Sequence, residues 1–124
     1  MSSKLYKYAI QNNNMDNDQN KLKNAESAYR QRLGELIEKY ENEDTSLVSM
    51  IDKNRDISRS VCREQGLFSY DNDIDYCAFV TLHSIGVEEI SKLYEQKKPQ
   101  LSLEERKDFE ASRCLARLEG DLLF

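Results

Sequence analysis

The sequence predicts an all-α domain, a four-helix antiparallel bundle organised around one long helical hairpin. Three observations predict it. Apolar residues recur at three- and four-residue spacing in four separate stretches. Only four glycines and one proline punctuate 124 residues, whereas an all-β domain needs turn residues every 8–12 or so positions. Charged residues make up 33% of the chain and hydrophobic residues 39%, a balance that suits a thin bundle with much surface per unit of core. The length fits one domain.

Residues 1–17 are polar and asparagine-rich (Gln11, Asn12, Asn13, Asn14) and are expected to form a flexible segment ahead of a single helical domain over 18–124. Leu5, Tyr8 and Ala9 offer at most one docking turn there. The first helix is expected from about Asp18 to Glu43, with Leu22, Ala25, Tyr29, Leu33, Leu36 and Tyr40 on one face. Glu26–Arg30 and Glu35–Lys39 are favourable pairs one turn apart on its wet side. Gly34 inside it costs about 1 kcal/mol relative to alanine; it either admits a close neighbour or is simply tolerated.

The second helix follows a polar break, with Asp44 or Thr45 as its expected N-cap. Leu47, Met50, Ile51, Ile57, Val61 and Cys62 form its stripe, which Asn54 interrupts, and Gly66 is a natural stop. The third helix is expected to start near Asp73 and to end before Pro99, because proline disfavours helical backbone at the residue preceding it. Ile74, Cys77, Ala78, Leu82, Ile85, Ile90 and Leu93 make it the most apolar stretch, so it is expected at the centre of the bundle, with Gly86 as a packing notch. The fourth helix opens with Ser102 and Glu105 at capping-box spacing. Its expected buried stripe is Ala111, Leu115, Leu118 and Leu122, bordered by Phe109 and Cys114, and the chain ends in the apolar tip Leu122-Leu123-Phe124.

Composition and motifs exclude several functions. A net charge of −5 argues against a phosphate-backbone binder, which needs a basic face. No run of about 18 apolar residues is present to span a membrane. Met1–Tyr8 has no continuous apolar core of the signal-peptide kind, so a cytoplasmic location is expected as the chain stands, and a periplasmic one if a signal was removed upstream of Met1. Asp71, Asp73 and Asp75 alternate as calcium ligands would, but the loop position that needs glycine holds Tyr76 and the one that needs a bidentate glutamate holds Leu82. Charge at the start of a helix explains them better. His83 is the only histidine, has no zinc-type or nucleophile context, and is expected at the surface or its boundary. No glycine-rich phosphate loop exists. No catalytic residue, metal or cofactor is therefore assigned.

Cys62 and Cys77 flank the polar turn of the hairpin at matched distances. They are either bridged, closing a loop of about 15 residues worth roughly 3 kcal/mol, or two buried thiols. Cys114 is left over in the first case.

Residues 18–96 resemble the LprI-like lysozyme-inhibitor family of small secreted bacterial helical proteins. Tyr29 and Leu33 match its first helix, Arg59 and Cys62 its second, and Cys77 and Thr81 its third. The tryptophan usual before the first cysteine is replaced by the region of Asn54 and Arg55, and the fourth helix extends past the usual end. The resemblance implies a periplasmic inhibitor or binding domain with a Cys62–Cys77 bridge.

The expected function is a small non-enzymatic protein-binding module, an inhibitor or immunity-type antagonist; the alternative is a cytosolic helical adaptor or secretion chaperone. The expected partner is another protein, with a basic target or a second copy in a homodimer as the forms considered, and neither nucleic acid nor membrane involved. The expected interface is the hairpin end, with Leu67, Phe68, Tyr70 and Tyr76 at its centre and Asp71, Asp73 and Asp75 as an acidic rim. Apolar and aromatic side chains inside a charged rim are what an interface centre requires, and the rim would steer a basic target.

Overall fold

The computed structural model describes residues 15–68 and 74–122, and within them the chain is all-α with four helices. They are α1 (Met15–Glu41), α2 (Leu47–Glu64), α3 (Tyr76–Lys97) and α4 (Leu103–Leu122), with a 3-10 turn (Lys98–Gln100) between the last two. The fold class agrees with the sequence; several boundaries move. The expected flexibility of 1–17 lies mostly outside the described residues, and α1 already begins at Met15.

Each helix end has a local cause. α1 stops two residues before the expected Glu43, because Glu43 takes a left-handed conformation (φ 63°). The amide of Glu43 then donates to the Tyr40 carbonyl and that of Asp44 to the Lys39 carbonyl, the paired bonds of a Schellman stop. Gly66 (φ 68°) ends α2 in the same way, with Gly66 N–H on the Arg63 carbonyl and Leu67 N–H on the Cys62 carbonyl. The N-cap of α2 is Ser46, not Asp44 or Thr45: its hydroxyl accepts from the Ser49 amide at 3.1 Å. α3 begins at Tyr76 rather than near Asp73, because the Asp75 carboxylate accepts from the Ala78 amide at 3.1 Å. The capping box of α4 forms reciprocally: Glu105 N–H donates to Ser102 Oγ at 3.1 Å and Ser102 N–H to Glu105 Oε1 at 2.9 Å.

α2 and α3 form an antiparallel pair at the centre, each packed against both α1 and α4, while α1 and α4 share no extensive contact. The core draws Ala25, Tyr29, Leu33 and Leu36 from α1, Met50, Ile51, Val61 and Cys62 from α2, and Phe79, Leu82, Ile90 and Tyr94 from α3. Burying each large apolar side chain contributes about 1.5–3 kcal/mol. Among the described residues, α4 supplies only Phe109 and Ala116. The expected α4 stripe is a correction: Leu115 and Leu118 are 63% and 45% exposed, and Ala111 and Cys114 also face water. Phe109 wins the inward position because its ring stacks on Tyr94 at 4.2 Å and carries more apolar area than either leucine face can match there.

The interior also holds a polar layer. The Tyr29 hydroxyl donates to Asn54 Oδ1, Asn54 Nδ2 donates to the His83 carbonyl at 3.1 Å, and Ser58 Oγ donates to the Asn54 carbonyl at 2.8 Å. Asn54 and Ser58 are fully buried. Asn54 therefore does not interrupt the α2 stripe; it completes it with a bonded amide. His83 corrects the surface expectation: it is buried, with its ring stacked 5.1 Å from Phe79. Gly86 makes room for the layer, since a Cβ there would lie 1.9 Å from both Asn54 Oδ1 and the Tyr29 hydroxyl. Gly34 meets nothing within 4 Å and is merely tolerated.

Candidate functional site

The hairpin end is built from the α2 stop and the α3 cap. After Gly66 turns the chain, Phe68 and Ile74 form an isolated antiparallel bridge, and the Asp75 amide donates to the Leu67 carbonyl at 3.0 Å. Leu67 and Ile74 are buried as a plug under this end. Phe68 and Tyr76 stand out of it, 43% and 48% exposed.

The expected interface is thus partly redrawn. Leu67 is core, and Asp75 is a buried cap rather than a rim charge, because an N-cap must point its oxygen back at the helix amides. Phe68 and Tyr76 share the surface as expected. Tyr70, Asp71 and Asp73 lie outside the described residues.

The three cysteines are thiols, with Cys62 buried, Cys77 half-buried and Cys114 exposed. The Cys62–Cys77 bridge is not formed in this structure; such a pairing belongs to an oxidising compartment. Burial, with Asp75 adding to it, pushes the Cys62 thiol up to about 12. It is a neutral, poor nucleophile at physiological pH. Burial likewise raises the Tyr29 hydroxyl, which stays protonated as a donor to Asn54. Among the described residues no group of three His, Cys, Asp or Glu side chains is placed to hold a metal. No helix among them is long and apolar enough to cross a membrane.

A second surface feature lies on α4. Its inner side is tied to α3 by the Tyr94 hydroxyl, which donates to Glu110, by Arg113 at 3.9 Å from Glu95, and by Arg117 at 4.0 Å from Glu88. The Tyr94 hydrogen bond holds the Glu110 carboxyl below the usual range. The Arg113 guanidinium lies 5.3 and 5.5 Å from the Tyr94 and Phe109 ring centres. Glu110, Arg113, Cys114, Arg117 and Leu118 line a shallow hollow of about 290 Å³ at the edge of the exposed stripe. Sequence reasoning assigned this stripe to the core. The contrary signal was present: upstream of Ala111 the same spacing runs into Asp108 and Glu104, which no core would accept.

The five large apolar side chains most exposed among the described residues all fall in these two places: Phe68 and Tyr76 at the hairpin end, and Leu103, Leu115 and Leu118 on α4. A second concavity, about 270 Å³ between α1 and α2, is lined by Leu36 and Ile57 with Arg32, Lys39, Lys53, Glu35 and Asp56 around them. Arg32 there is already paired with Glu64.

Comparison with family profiles, with characterised protein sequences and with solved structures gives no match. Of the six residues that carry the resemblance to the lysozyme-inhibitor family, Tyr29, Leu33 and Cys62 are core residues, so half of the matched pattern is packing.

Proposed function

We propose that this chain is a non-enzymatic protein-binding module that acts as an inhibitor or immunity-type antagonist of another protein. The observation that carries the reading is the pair Phe68 and Tyr76, two half-exposed aromatics held at one end by the Leu67–Ile74 plug. Aromatic side chains on a rigid base lose little entropy on docking and are enriched at interface centres. The net charge of −5 favours a basic target by steering encounter. The family resemblance names lysozyme as the first purified target to assay.

The test is a photo-crosslinking residue at Tyr76 in cells that make the protein naturally. The expected result is one discrete adduct, lost when Phe68→Ser is added. Adducts indistinguishable from those of a control at Lys53, an exposed residue of α2, would overturn the reading.

A further inference from the structure

We draw no further inference here: the strongest candidate, the concavity between α1 and α2 lined by Leu36 and Ile57, is ringed by both basic (Arg32, Lys39, Lys53) and acidic (Glu35, Asp56) side chains, and nothing in the structure shows what covers it.

Discussion

The α2–α3 pair and α4 break the inside–outside rule in opposite directions. Between α2 and α3, with Tyr29 from α1, polar residues are inside: Asn54, Ser58, His83 and Asp75 are all buried. On α4, Leu115 and Leu118 are outside. The first departure is satisfied within the fold. The Asn54 amide accepts from Tyr29 of α1 and donates to the His83 carbonyl of α3, while its backbone carbonyl accepts from Ser58 in its own helix, and Asp75 caps α3. A buried amide bonded to two neighbouring helices specifies register, because an alternative packing leaves it unpaired. The second departure is left uncovered among the described residues. Apolar side chains left in water contribute little folding energy, so these two leucines add little to the bundle itself. Buried polarity here is bonded into the structure, whereas the exposed apolar side chains are not.

Substitutions can break this contrast. The largest effect is expected from Gly86→Ala. Its Cβ would sit 1.9 Å from two atoms of the polar layer, so either α3 shifts or the Tyr29–Asn54 bond is lost. Chemical denaturation should show a loss of about 3 kcal/mol or more, at the upper end of overpacking costs. A loss under about 1 kcal/mol would mean that the layer is loose.

A smaller effect is expected from Tyr29→Phe, which removes a donor and leaves Asn54 Oδ1 buried. The cost should be about 1–3 kcal/mol. Adding Asn54→Leu should not double it, because the two residues share one interaction; strict additivity in a double-mutant cycle would break the idea of a coupled layer.

The smallest effect is expected on α4. Leu115→Ser with Leu118→Ser should change stability by less than about 0.5 kcal/mol each, the range of surface sites. A loss of 2 kcal/mol or more would place the stripe in the core and remove the contrast.

Much of this was legible in the chain. Periodicity marked four helices, and Gly66, Pro99 and the Ser102–Glu105 box marked their ends, because those signals act within a few residues along the backbone. Gly86 as a notch was legible for the same reason: a glycine on an apolar helix face invites close approach. Phe68 and Tyr76 at the surface followed from their place beside a turn. Other assignments failed where the deciding partner is far away in sequence. His83 was read as a surface or boundary residue because no zinc-type or nucleophile context surrounds it; it is buried, with Asn54 of α2 donating to its carbonyl. Asn54 looked like an interruption because its three partners lie on different turns or helices.

The sequence by itself determined the class of the fold, the number of helices, the Gly66 stop and the Ser102–Glu105 capping box. Backbone hydrogen bonding and amphipathic spacing are local, and a single strand of text carries them. Only the tertiary structure decided which of two apolar stripes on α4 faces inward. Both have helical spacing, so periodicity cannot rank them. The ranking comes from the Tyr94 ring, which stacks on Phe109, and from Glu88 and Glu95, which hold Arg117 and Arg113 against α3. Those contacts join residues 15 to 29 positions apart in sequence (109 − 94 and 117 − 88). They turn Leu115 and Leu118 to the outside.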